Sequence, residues 1–248
     1  MEEPLTGGNM TAVVRIGERV HRSAGPWSST IQQLLRHVRE LGVRWVPEPF
    51  GFDSQGREVL EFLEGEVPGY PLPQWVWERE NLQQSARMLR AFHDATRGLI
   101  HLQGVWQSPV HEPTEVICHN DFAPYNFVFR EGKLLGVIDF DTCSPGPAIW
   151  DVAYLAYRMV PLTRPETFTG IQFADDEVKE RLHLLLDAYG APFGASDLLE
   201  VVEKRLLELA EFSTRQAERK QNPELLEHAA LYRADAAHVQ NHGLKHWV

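Results

Sequence analysis

The chain has 248 residues, of which 43% are hydrophobic and 24% charged, and carries a net charge of −11. That length can bury a sizeable core as one large domain or two lobes, and no stretch approaches the roughly 18 consecutive apolar residues of a membrane span. The acidic balance argues against nucleic acid, whose phosphates need a basic face, and suits a cationic substrate drawn to an acidic surface.

Residues 1–63 read as a small α/β lobe that begins with the loop Thr6-Gly7-Gly8-Asn9. Ala12 to Ile16 and Arg19 to Arg22 are strand-like about Gly17-Glu18, which suits a two-residue hairpin turn. Ser28-Ser29-Thr30 is expected to cap a helix with Ile31, Leu34, Leu35, Val38 and Leu41 on its apolar side and Gly42 at its end. Phe50 to Phe52 and Glu58 to Leu63 form a further hairpin about Asp53 to Gly56. Residues 64–73 hold two Gly and three Pro and read as a linker. Residues 74–248 are mainly helical, with helices expected over Glu78 to Thr96, Ala148 to Met159, Asp175 to Tyr189 and Ser196 to Lys220. Asn222-Pro223 opens the last one.

The chemistry concentrates in His119-Asn-Asp121-Phe-Ala-Pro-Tyr-Asn126 and the following Val137-Ile-Asp139-Phe-Asp141. Asp121 and Asn126 stand five residues apart, and Asp139 follows Asn126 by thirteen. That is the layout of a kinase catalytic loop followed by a metal-binding strand. Phosphoryl transfer from ATP needs a carboxylate to orient the acceptor hydroxyl and oxygen ligands to hold Mg²⁺ on the phosphates. Glu115 to Cys118 reads as a strand entering the loop, Phe127 to Phe129 as one leaving it, and Leu134 to Ile138 as its partner across Glu131-Gly132. On such a hairpin Asn126 and Asp139 can face a shared Mg²⁺, while Asp121 reaches a substrate from the loop. Cys118 and Cys143 flank the segment without zinc-ligand spacing, and two cysteines in the whole chain suit a reducing cytoplasm. The acidic Met1 to Pro4 lacks the apolar run of a secretory signal.

On these motifs the sequence resembles the aminoglycoside phosphotransferase family, relatives of choline and homoserine kinases with a protein-kinase-like fold. The likeness is strongest over Val116 to Ala156. It implies an α+β, bilobal architecture: a small β-rich N-terminal lobe (1–63), a hinge (64–73), and a larger, mainly helical C-terminal lobe (74–248). It implies a catalytic carboxylate at Asp121, Mg²⁺ ligands at Asn126 and Asp139, a loop-packing role for His119, and a loop brace at Asp151. It places the phosphate-covering loop at Gly7-Gly8-Asn9 and the adenine hinge at Glu61 to Leu63. The activity so implied is ATP- and Mg²⁺-dependent O-phosphorylation, with GTP as the other donor, of a small cationic hydroxylated molecule such as an aminoglycoside or another antibiotic. Neither nucleic acid nor membrane is a partner in this reading.

Two departures stand out. No Lys precedes Lys133, so the phosphate-gripping role of the family's third-strand Lys falls to Arg22. Arg can hold phosphate bidentately, with different geometry from Lys. The helix after Ser28 carries Gln32 and Gln33 in its first turns and no early acid, so the expected glutamate partner for Arg22 is missing there. Those gaps support a second reading, a kinase-like module that binds nucleotide without transferring phosphate. Trp75, Trp77, Tyr154 and Tyr157 could line an acceptor site or simply pack the core.

Overall fold

A computed structural model of the chain describes residues 2–5, 13–164 and 171–248. The expected phosphate loop, Gly7, Gly8 and Asn9, lies outside the described residues. The chain forms two compact units that interleave in sequence. The first comprises Met1–Val67, Ala91–Phe122 and Asn126–Ala148, and the second Pro68–Arg90, Ala123–Tyr125 and Ile149–Val248.

The first unit is built on an antiparallel sheet. Its strands are β1 (Glu3–Leu5), β2 (Val13–Ile16), β3 (Arg19–Arg22), β4 (Pro49–Phe52) and β5 (Glu58–Glu61), in the order β1-β2-β3-β5-β4. Gly17 at φ 63° makes the tight β2–β3 turn that an L side chain would strain. Helix α1 (Ser28–Glu40) packs against β4 and buries Ile31, Leu34, Leu35 and Val38, a spacing that puts all four on one stripe. Its start differs from the expected serine cap. Trp27 holds the cap position, and the Ser28 hydroxyl accepts from the Gly25 N–H at 3.0 Å rather than from the helix.

Below the sheet in chain order come β6 (Val116–Cys118), β7 (Phe127–Arg130), β8 (Lys133–Val137) and β9 (Ser144–Gly146). β7 pairs with β8 and β6 with β9, both antiparallel. The β6–β9 ribbon was not legible beforehand, since Ser-Pro-Gly carries no strand signal of its own. Trp45, Phe92, Phe122, Phe127 and Phe140 form an aromatic cluster with ring centroids 5.0–6.5 Å apart. The two thiols, Cys118 and Cys143, are buried and are not joined in a disulfide.

The start of the linker is pinned to the first unit. Glu66 and Phe129 exchange backbone bonds of 2.7 and 2.8 Å, an approach that Gly65 permits, because a Cβ there would lie 2.5 Å from the Phe129 carbonyl oxygen. Gly136 allows a similar approach, since its Cβ would meet Leu63 Cδ1 at 2.8 Å.

The second unit is helical. α2 (Arg79–Thr96) belongs to it as far as Arg90, followed by α3 (Ala148–Met159) from its second residue on, α4 (Asp175–Tyr189), α5 (Ala195–Lys220), α6 (Glu224–His238) and the short α7 (Leu244–His246). α3 buries nearly every side chain, as a core helix does when apolar residues run all round it. α4 ends at Gly190 in the left-handed conformation, φ 70°. Asp175 anchors the C-terminus: its Oδ1 lies 2.8 Å from His242 Nε2 and accepts from Trp247 Nε1 at 2.7 Å. Among the described residues no helix is long and apolar enough to cross a membrane.

Candidate active site

Two left-handed residues shape the site, one after β6 and one after β8. Asn120 has φ 65° and Asp139 φ 62°, a conformation that Asn and Asp tolerate better than other non-glycine residues. Asn120 Nδ2 donates to the Thr142 carbonyl at 2.9 Å and the Ser144 hydroxyl at 2.8 Å. Thr142 Oγ1 donates back to the His119 carbonyl at 2.8 Å. The residues around Asp121 and those after Asp139 are thereby stitched into one rigid knot.

His119 is fully buried against Phe140 and Phe122, with centroids 4.6 and 5.5 Å away. Its Nδ1 accepts the Asp121 N–H at 3.3 Å, which fixes the loop backbone and requires that nitrogen to be unprotonated. Asn126 Nδ2 donates to both the Asp121 carbonyl and Asp121 Oδ2 at 2.9 Å, so the amide locks the carboxylate's orientation. Both donor hydrogens of Asn126 are thus committed inward, and its Oδ1 is the amide atom left to accept. Ile138 N donates to the Asn126 carbonyl at 2.9 Å, and this β7–β8 pairing brings Asp139 beside Asn126.

Arg22 ends β3, and three carboxylates converge on it. Its Nε donates to Glu58 Oε2 at 2.8 Å, Nη1 to Asp139 at 3.4 Å, and Nη2 to Asp141. Burial pulls the guanidinium pKa down, but Asp141, Glu58 and Asp139 outweigh it and the net shift is upward, so Arg22 stays charged. Burial pushes the Asp141 carboxyl up; Arg22 opposes and Asp139 adds to that shift.

The missing glutamate partner is therefore present, on a strand rather than on the helix. Glu58 is fully buried and sits opposite Arg22 in the β3–β5 register. Gln32, from α1, donates to Glu58 Oε1 at 3.0 Å, while its own Oε1 accepts from Gly51 N at 2.9 Å. The helix thus acts on Arg22 at one remove, through Gln32 and Glu58. Sequence reasoning missed Glu58, although an acid directly before the apolar strand pair Val59-Leu60 was a usable signal. Asp141, the last residue of the second motif, is a further direct Arg22 partner.

Asp139 exposes 51% of its side chain and Asp141 24%, against none for Glu58. The carboxylates of Asp139 and Asp141, with the buried amide oxygen of Asn126, are all-oxygen and mostly anionic donors, a chemistry that fits Mg²⁺ rather than a soft metal. At the expected hinge, Glu61 Oε2 accepts from Arg39 Nη1 and Glu48 N, each at 3.0 Å, so its side chain is structural. Leu63 is half-buried against Gly136. Asp151 is fully buried in the first turn of α3, whose end is capped by Glu115 Oε2 accepting from Ala148 N at 3.0 Å.

Comparison with known proteins bears on the family and the fold. Residues 101–189 match the model of a phosphotransferase enzyme family. The trifolitoxin immunity protein of Rhizobium leguminosarum bv. trifolii is 36% identical over 205 residues, covering 75% of this chain and 73% of that protein. A choline/ethanolamine kinase family protein from Mesorhizobium loti superposes with a TM-score of 0.66 at 15% identity, covering 100% of this chain and 90% of that one. A spectinomycin phosphotransferase solved with ADP and spectinomycin gives 0.63 at 10% identity, covering 97% and 92%. These likenesses establish the α+β, protein-kinase-like fold.

Proposed function

The chain belongs to the phosphotransferase enzyme family, and from that membership we propose that it transfers the γ-phosphoryl group of ATP to a hydroxyl of a small molecule with the help of Mg²⁺. The observation that carries the reading is the convergence of Glu58, Asp139 and Asp141 on Arg22, which joins a phosphate-gripping cation to the metal-side carboxylates. In this reading Glu58 keeps Nε and aims the guanidinium, while Nη1 and Nη2 meet phosphate oxygens as a fork. Asp121, its carboxylate oriented by Asn126, positions the acceptor hydroxyl and takes its proton as the oxygen bonds to phosphorus and ADP departs. Asn126 and Asp139 would hold Mg²⁺, which neutralises charge on the phosphates when bound. His119 and Asp151 hold the loop's shape without touching substrate.

The family's antibiotic-modifying members and the immunity-protein relative support a hydroxylated antibiotic or toxin as acceptor. The test is a coupled ADP-release screen with ATP and GTP against aminoglycosides, other hydroxylated antibiotics, amino alcohols and hydroxy acids. Acceptor-dependent ADP release that vanishes on chelation and returns with Mg²⁺ is expected. Nucleotide binding without ADP release from any acceptor would instead mark a binding module.

A further inference from the structure

The whole-chain charge of −11 favours a cationic acceptor, yet the helical unit holds a local charge of the opposite sign. Arg158, in the last turn of α3, is half-buried inside a cage of tyrosines. Its guanidinium lies 5.5 Å from the Tyr125 ring centroid, 5.2 Å from Tyr154 and 5.0 Å from Tyr157. Nε and Nη2 donate to the Tyr154 hydroxyl at 3.2 and 3.0 Å, and Nη2 to the Tyr232 hydroxyl at 3.4 Å. Tyr70 adds a further ring against Tyr125, centroids 6.2 Å apart, and is itself exposed.

No carboxylate pairs with Arg158 among the described residues. The nearby acid, Asp235, is fully buried and already engaged: Tyr157 donates to it at 3.0 Å, and Arg164 Nε faces it at 3.5 Å. Burial pushes the Tyr157 phenol further above its ordinary value, so it supplies no counter-charge. Ring faces offset a cation's desolvation only in part, and a shielded charge without a counter-ion is costly. Nη1 makes no hydrogen bond among the described residues, so two N–H groups remain to be used. Tyr154, accepting two N–H groups from Arg158, also shares a hydrogen bond with Tyr125 Oη at 2.8 Å. A quaternary ammonium could not use these rings, because the chain's own cation already covers them.

We propose that the Arg158 cage seats a carboxylate of the acceptor, so that the molecule phosphorylated is a hydroxylated acid rather than an amine. Tyr125, one wall of the cage, directly precedes Asn126 in the chain. The term acceptor rests on the phosphotransferase reading above; the anion seat itself does not.

The test uses the full chain and matched probes: N-acetylhomoserine and 3-hydroxybutyrate, each beside its carboxamide, with choline, ethanolamine and inorganic phosphate as further arms. Calorimetric titration of the wild type should show each acid binding about 10- to 100-fold tighter than its amide, the range of a charge-assisted hydrogen bond. The acid-to-amide ratio should fall to near one in Arg158→Gln and be partly kept in Arg158→Lys, with melting curves checking that both variants fold. Acids that bind no better than their amides, a ratio unchanged in Arg158→Gln, or phosphate outcompeting every acid would overturn the proposal. Arg158-dependent acid binding without ADP release from any acceptor would uphold the seat and sink the phosphotransferase reading. ADP release with amines alone would do the reverse.

Discussion

Glu58→Gln isolates the strut beneath Arg22. The carboxylate is fully buried, takes the Arg22 Nε–H on one oxygen and the Gln32 amide on the other, and has no solvent to fall back on. A glutamine of the same shape must turn an NH₂ toward one of two donors. Gln32 cannot flip to relieve the clash, because its Oε1 already accepts from Gly51 N. Losing one partner of a buried ion pair costs about 3–5 kcal/mol. Arg22 keeps Asp139 and Asp141, so the lower end, about 3 kcal/mol, is expected, or roughly 6–12 °C in Tm for a chain of this size. The assay is a thermal melt of wild type, Glu58→Gln, Arg22→Met and the double variant, with KM for ATP measured alongside. The account expects strong coupling in the cycle, since Glu58→Gln should cost far less once Arg22 is gone, and a raised nucleotide KM in both single variants. A Glu58→Gln protein that melts within a degree of wild type at unchanged KM would refute the reasoning.

Asp139→Asn should raise the Mg²⁺ concentration for half-maximal ADP release by about tenfold or more, since it removes a hard anionic ligand, while barely moving Tm, because its pairing with Arg22 is half-exposed. Gly136→Ala forces a methyl to 2.8 Å from Leu63 Cδ1 and 3.0 Å from the Trp45 carbonyl oxygen, and overpacking of that kind costs about 1–3 kcal/mol; a melting midpoint equal to wild type would contradict it. The C-terminal cluster should be acid-labile. Burial, and then His242, hold the His238 pKa below its ordinary value, so its neutral form is favoured in the fold; that stability is complete above about pH 6.5 and lost as pH falls through the lowered pKa. Asp175, lowered by its bonds to His242 and Trp247, loses its contribution in a separate window below the ordinary carboxylate value. Tm followed from pH 8 to pH 5 should drop more in wild type than in His238→Gln, and parallel curves would count against the assignment.

The residues legible beforehand were those whose partners lie close in the chain. Asp121, Asn126 and Asp139 fall on one loop and one hairpin, as the local strand signals around them predict. α3 and α4 were read to the residue, because a mostly apolar run and a terminal Gly190 are local signals. Glu58 was hidden because β3 and β5 pair across an intervening helix and strand, and the search for an acid stopped at the helix. β9 exists because β6 needs a partner rather than because Ser144-Pro-Gly146 prefers to be a strand. The Arg158 cage draws Tyr70, Tyr125 and Tyr232 from three distant segments, and Tyr154 and Tyr157 at helical spacing look like ordinary core.

The central claim is that Asp121 does chemistry rather than support the fold. The most direct measurement is acceptor-dependent ADP release by wild type and Asp121→Asn at saturating ATP and Mg²⁺, with Tm determined on the same preparations. Loss of the positioned base should lower kcat about 10²- to 10⁴-fold while ATP affinity and Tm stay close to wild type. Turnover at the wild-type level in Asp121→Asn would contradict the account.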